Sequence, residues 1–289
     1  MDALTYDLKQ IWGRNRNGSK STQANRLRIL SLISKQIADA GYKLEKAKSI
    51  KPKHIGAVVG QWKAEGLTNG TIKNRMAALR WWVGEVNKTS ILKSNEDYGI
   101  GAKKNTKLDK SRKLDLDKLE AIDCPKIKMA VRLQAAFGLR REEAIKFTPD
   151  HADKGDRIRL KASTTKGGRY REIEISTDRQ RQLLEEAKEL AKGASLIPAD
   201  KNYRQQLKAY ENQTLKAGLK NNHGLRHNFA QWKYQQITGW PSPAKGGLKK
   251  EDMTAEQWAI DRQARRDISE ELGHSRIDIT DEYLGSATK

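Results

Sequence analysis

Leu272-Gly273-His274-Ser275-Arg276-Ile277-Asp278-Ile279-Thr280-Asp281-Glu282-Tyr283 sets a histidine after a Leu-Gly break and a tyrosine nine residues beyond it. Two groups of related chemistry lie upstream, Gly138-Leu139-Arg140-Arg141-Glu142-Glu143 and His223-Gly224-Leu225-Arg226-His227. Between them, Thr164-Thr165-Lys166-Gly167-Gly168 puts a lysine at the tip of an expected hairpin. Phosphodiester chemistry says what such residues can do together. The pentavalent transition state carries extra negative charge on its non-bridging oxygens, and a guanidinium is always charged and binds two oxygens at once. A nucleophile must attack in line, and the leaving oxygen needs a proton. Arg140, Lys166, His223, Arg226, His274 and Tyr283 make a complete set for tyrosine-mediated phosphoryl transfer.

Other chemistries find less support. His223 and His227 would share a helix face as an i,i+4 metal pair, but Gly224 stands where a metalloprotease has glutamate, and no His or Cys cluster offers a third ligand. No Walker loop, GxGxxG fingerprint or GxSxG elbow occurs. The one cysteine, Cys124, excludes an internal disulfide and a multi-cysteine zinc site.

The 289 residues hold 57 Lys+Arg against 36 Asp+Glu, a formal net charge of +21. With a pI of about 9.9 and a mean hydropathy of −0.85, the chain is expected to meet a polyanion, most often nucleic acid. No apolar run approaches the ~18 residues that span a bilayer, and no signal peptide opens the chain. No membrane partner and a cytoplasmic location, on the bacterial nucleoid when bound to DNA, are therefore expected.

The basic excess is spread along the chain, with 18 Lys+Arg and 8 Asp+Glu in residues 1–98. That part reads as a helical bundle. Ile72, Met76, Leu79, Val83 and Val86 recur at three- and four-residue steps over 71–86, while Lys73, Arg75 and Arg80 lie off that stripe. A second helix is expected over about 21–39, and Pro52 opens a third. Residues 99–113, with six Lys+Arg including Lys103 and Lys104, read as a basic extended linker. From 114 the pattern is mixed: short helices over 116–122, 129–137 and 142–147, strands over 157–161 and 171–175, then helices from about 179. Arg169 and Arg171 are expected to meet phosphates or solvent. The fold class is mainly α with a small antiparallel β-sheet, in two domains.

In their order along the chain the three boxes and the lysine hairpin resemble the tyrosine recombinases (phage integrase family). The resemblance covers almost the whole chain, closely over about 130–284 and loosely over 1–98. It implies a core-type DNA-binding domain over 1–98, a linker over 99–113 and an α+β catalytic domain over 114–289. It implies a mobile-element integrase that cuts and rejoins DNA through a 3′-phosphotyrosine intermediate and a Holliday junction. Arg140 and Arg226 would clamp the scissile phosphate, Tyr283 would attack it and Lys166 would protonate the leaving 5′ oxygen. His223 would exchange a proton with the tyrosine or hold the phosphate, His274 would bond the phosphate or orient the site, and Glu143 would position Arg140. Lys73, Arg75, Arg80, Lys103, Lys104 and Arg169 would contact DNA. No metal or other cofactor is expected. The implied partners are double-stranded DNA, copies of the same chain in dimers and tetramers, and accessory DNA-bending proteins.

Two departures from that family stand out. Arg226 and His274 are 48 residues apart, about twice the family's usual interval, and the excess falls at about 239–262, expected to be a plain surface excursion, the alternative being a family-specific contact with DNA or a neighbouring subunit. Six residues follow Tyr283, where many relatives continue with a helix that docks into the next protomer, so coupling through such a tail is not expected. The alternatives are a catalytically silent DNA-binding regulator and a type IB topoisomerase. The intact residue set argues against the first, and the basic helical N-terminal half together with the motif boxes argues against the second.

Overall fold

The structure is a computed structural model that describes residues 1–102, 109–165, 168, 170–274 and 276–288. It divides into two compact units, Met1–Thr106 and Lys107–Lys289.

The first unit is helical: α1 (Ala3–Arg14), α2 (Lys20–Asp39), α3 (Pro52–Ala64) and α4 (Asn69–Glu85). Asp2, Ser19 and Thr68 cap α1, α2 and α4 by accepting from the backbone N–H three residues on. Ile72, Met76, Leu79 and Val83 on α4 are buried against Leu30, Ile33, Ile55 and Val58. Trp82 and Trp62 are buried with their indole N–H groups bonded to the Ala47 carbonyl and Gln36 Oε1. These tryptophans hold the core. Trp81 lies under the Arg26 guanidinium.

The expected linker is packed at both described ends. Ile100 is buried in the first unit's core, and Asn69 Nδ2 donates to the Ala102 carbonyl at 3.1 Å. The chain from Asp109 onward belongs to the second unit, where the Arg112 N–H donates to the Gly224 carbonyl at 2.9 Å and Gln231 Nε2 to Asp109 Oδ1 at 2.7 Å.

The second unit holds α5 (Leu116–Glu120), α6 (Pro125–Phe137), α7 (Arg141–Ile145), α8 (Pro149–Ala152), β1 (Arg157–Leu160) and β2 (Arg171–Glu174). Then follow α9 (Asp178–Ala191), α10 (Tyr203–Lys216), α11 (His223–Thr238), α12 (Ala255–Glu271) and α13 (Asp281–Leu284). Leu133, Phe137, Phe229, Ala230, Tyr234, Ala264 and Ile268 build its centre from α6, α11 and α12. The strands pair antiparallel from Arg157↔Glu174 to Leu160↔Arg171. The strands match the expected hairpin to within a residue at each end, and the connection spans 161–170 with a 3-10 turn at Ala162–Thr164. Ile158, Leu160, Arg171 and Ile173 face inward, while Arg159 and Glu172 pair outside at 2.6 Å.

The stretch joining α11 to α12 is not a plain surface excursion. Its Pro243–Lys245 turn packs on the segment after Tyr283, and the Lys250 N–H donates to the Ala287 carbonyl at 3.0 Å. Ser242 is fully buried. The remainder of the expected insert opens α12, where Thr254 and Gln257 form a reciprocal capping box.

Candidate active site

Four elements and two helix ends deliver the site. α6 stops at Gly138, whose φ of +58° suits glycine, and a Cβ there would lie 2.5 Å from Phe229 Cδ1. That turn sends Arg140 to the start of α7. His223 and Arg226 lie in the first turn of α11, where the helix's positive end faces the site. α12 ends at Glu271, leaving the Leu272 carbonyl free of its own helix, and His274 follows. Tyr283 lies on α13 and Arg171 on β2.

Three arginines meet on one carbonyl. Arg140 Nη2 and Arg171 Nη1 each donate to the Leu272 oxygen at 3.0 Å, and Arg226 Nη2 donates to the same atom. Arg226 Nη1 also donates to the Gly138 carbonyl at 2.5 Å. One carboxylate faces them. Glu143 Oε1 accepts from Arg140 Nη1 at 2.8 Å, and its Oε2 from Arg171 Nη2 at 2.7 Å and from the Arg140 N–H at 2.6 Å. Arg171 is 3 %, Arg226 1 % and Glu143 1 % exposed. Burial pushes the Glu143 pKa up, but Arg171 and Arg140 outweigh it and hold the carboxyl below its ordinary range. Three guanidiniums against one carboxylate leave two positive charges uncompensated, a standing attraction for an anion.

Tyr283 is 7 % exposed. Its hydroxyl accepts from Arg226 Nε at 3.4 Å and lies 3.4 Å from His223 Nε2. Its ring stacks on His227 with centroids 4.4 Å apart, and the His274 ring lies 5.2 Å away. His274 Nε2 is 3.5 Å from Arg226 Nη2, and its Nδ1 is buried without a partner among the described residues. Burial, then the charges of Arg226 and Arg140, push its pKa down to about 3, so the ring is neutral at neutral pH. His223 stands at the rim, its pKa lowered by partial burial and by Arg226.

Arg140, Glu143, His223, Arg226, His274 and Tyr283 thus converge. Lys166, Lys103, Lys104 and Arg169 lie outside the described residues. Of the other expected DNA contacts, Lys73 is half-buried, Arg75 sets its guanidinium 5.4 Å from the centroid of the Trp62 ring, and Arg80 is exposed and bonded to Asn95. Arg171 corrects the expectation of a solvent-facing residue: it is buried and completes the arginine cluster. Its alternation with Ile173 in Arg171-Glu172-Ile173-Glu174 carries that signal, because period 2 puts both on the inner face. His223 and His227 are edge to face at 5.3 Å, and among the described residues no three His, Cys, Asp or Glu side chains gather as a metal site.

The buried His227 makes the unit acid-sensitive. Burial and then the charge of His223 push its pKa down to about 4. An unfolded histidine titrates near ~6.5, so below that pH the unfolded chain binds more protons than the folded one. Stability present above about pH 6.5 is lost as the pH falls toward 4, with His274 acting in the same direction. The melting temperature should drop between pH 7 and 5, and His227→Phe, which keeps the stack on Tyr283, should flatten part of that drop. An unchanged slope in His227→Phe would contradict this.

The family model described as "Phage integrase, N-terminal" matches residues 1–91, and that described as "Integrase" matches residues 97–232. The fold is also that of several solved structures. XerH site-specific recombinase in a post-cleavage complex with palindromic difH substrate is 20% identical, with a TM-score of 0.58 over 97% of this chain and 80% of that one. A lambda integrase dimer bound to a COC′ core site is 15% identical, with a TM-score of 0.64 over 97% and 95%. The Tn1549 transposon integrase with circular intermediate DNA is 17% identical, with a TM-score of 0.55 over 100% and 96%. No curated protein matches.

Proposed function

This chain belongs to the phage integrase family of tyrosine recombinases, and on that premise we propose that it is a site-specific recombinase that cuts and rejoins double-stranded DNA. The observation that carries the reading is the place of one hydroxyl. Tyr283 Oη lies 3.4 Å from both Arg226 Nε and His223 Nε2, beside a buried cluster with two positive charges in excess.

Arg140 and Arg226 hold the non-bridging oxygens of the scissile phosphate and stabilise the charge that grows on them. Tyr283 Oη passes its proton to His223 and attacks phosphorus. The bond to the 5′ oxygen breaks in line, and Lys166, in the β1–β2 connection, gives that oxygen its proton. A 3′-phosphotyrosine ester and a free 5′-hydroxyl result. The ester conserves the phosphodiester's energy, so the reverse attack by a 5′-hydroxyl reseals a strand without ATP. The arginines supply the charge that metal ions supply in other phosphoryl transfers. Glu143 keeps Arg140 and Arg171 in place. Two chains bind one core site, four form the synapse, and two rounds of exchange pass through a Holliday junction. Relatives of this fold bound to core-site DNA and to a Holliday junction support that assembly. The protein acts on DNA in the bacterial cytoplasm. Among the described residues no helix is long and apolar enough to cross a membrane.

The test is a nicked duplex that traps the intermediate by losing the 5′-hydroxyl strand. Such duplexes, tiled from DNA flanking the gene and incubated with EDTA, should yield an SDS-resistant protein–DNA adduct. No adduct on a duplex the protein demonstrably binds would overturn the proposal. Binding itself should fall steeply with salt, because each Lys or Arg that meets a phosphate releases counterions. With six or more such contacts, a loss of about 10³-fold between 50 and 200 mM salt is expected in a filter-binding titration. An affinity that stayed level over that range would remove the phosphate backbone from the interface.

A further inference from the structure

α13 is a single turn, too short to be stable alone. α11 holds it from one side, where Gln231 Nε2 donates to the Tyr283 carbonyl at 3.0 Å, and further anchors come from α12 and from the stretch before α12. Arg265, on α12, is 4 % exposed. Its Nη1 donates to Asp281 Oδ1 at 2.8 Å and to the Gly285 carbonyl at 3.0 Å. These partners lie two residues before and two residues after Tyr283. On its other edge, Arg265 Nε donates to both Asp261 carboxylate oxygens, at 3.0 and 2.9 Å. Asp261 is fully buried and accepts from the Tyr234 hydroxyl at 2.6 Å, which itself accepts from Trp240 Nε1 at 3.2 Å. Beyond Gly285, the Lys250 bond to Ala287 and the close approach of Ala244 seat the following residues. At Gly285, φ is +79° and a Cβ would lie 2.7 Å from Ala244 N.

We propose that Arg265 is the positioning residue of the nucleophile: it clamps the turn that carries Tyr283 from both sides and thereby aims the hydroxyl at the arginine cluster. The proposal rests on Tyr283 being the nucleophile. An arginine suits the task because its planar fork reaches Asp261 with one edge and both flanks of Tyr283 with the other. A lysine would keep the positive charge beside Asp261, so the buried carboxylate stays paired, but one ammonium cannot span Asp281 and Gly285 as well. Loss of aim is costly to an in-line attack, since a misplacement of about 1 Å costs ~10²-fold in rate.

Two reactions on the same duplex separate aim from fold. The first is single-turnover cleavage of the nicked duplex at saturating protein, which needs Tyr283. The second is ligation of a nick whose 3′-phosphate carries p-nitrophenol, run in chains that also carry Tyr283→Phe. There the 5′-hydroxyl attacks phosphorus, p-nitrophenolate leaves and the hydroxyl's proton passes to solvent, so the arginine cluster is used and the tyrosine is not. Arg265→Lys should lose ~10²-fold in cleavage and stay within about threefold of the parent in ligation. Asp281→Asn, at a side chain 40 % exposed, should show a smaller loss with the same split. It decides the matter if Arg265→Lys does not fold. Equal losses in both reactions would reduce Arg265 to a structural ion pair, and unchanged cleavage in both variants would end its role, while a wild-type adduct leaves the recombinase reading intact. A wild type that forms no adduct would sink that reading instead, and this inference with it.

Discussion

Tyr283→Phe is expected to bind the core-site duplex with wild-type affinity and to form no covalent adduct, a loss of more than about 10⁴-fold in cleavage. The substitution removes one oxygen atom. The ring still stacks on His227 at 4.4 Å and still lies beside His274, and the Gln231 bond to the residue 283 carbonyl is untouched. The hydroxyl's own hydrogen bonds, to Arg226 and His223, are 3.4 Å long and therefore weak, so the fold should tolerate their removal. The chemistry is left with no nucleophile. Gel shift for binding and SDS gels for the adduct read the two effects separately. An adduct formed by this variant would move the nucleophile elsewhere.

Glu143→Gln should strongly destabilise the second unit. It leaves three guanidiniums around the Leu272 carbonyl with no carboxylate, two of them almost fully buried. Breaking a buried ion pair from one side costs about 3–5 kcal/mol. Chemical denaturation should report a loss of that size. Inorganic sulfate should restore part of it, because an anion bound at the cluster stabilises the folded state by mass action. The neighbouring Glu142 is a built-in control. It pairs with Lys146 at the surface, its side chain is half-exposed, and Glu142→Gln should cost no more than about 1 kcal/mol. Equal, small costs for the two would contradict the account of the cluster.

The residues with unusual chemistry are the most legible part of the sequence. Paired arginines, a His-rich helix start and a tyrosine nine residues after a histidine stand out because few other arrangements use them, and the fold brings them together. The helical class is legible from the apolar stripe of α4, whose Ile72, Met76, Leu79 and Val83 are all buried. Arg171 reads wrongly because a charged residue near a hairpin tip is usually solvated. Only its alternation with Ile173 shows that it points inward, and its partner Glu143 is 28 residues away in sequence. The 239–253 stretch reads wrongly for a related reason. Proline and glycine mark where a helix ends, but not what the turn then packs against. Its partners, Gly285 and Ala287, are some forty residues downstream. Long-range pairings of this kind leave no local pattern. The same holds for Arg265, one of many arginines in a basic chain until its bonds on both sides of Tyr283 are seen.

The most direct test of the central claim is to find the atom that carries the DNA. The SDS-resistant adduct would be digested with nuclease and protease and the nucleotide-bearing peptide sequenced by mass spectrometry. A nucleotide joined through its 3′-phosphate to Tyr283, with a 5′-hydroxyl on the released strand, is the result expected from the 3.4 Å approach of that hydroxyl to Arg226 and His223. A nucleotide on any other residue, or a released strand ending in 5′-phosphate, would contradict it.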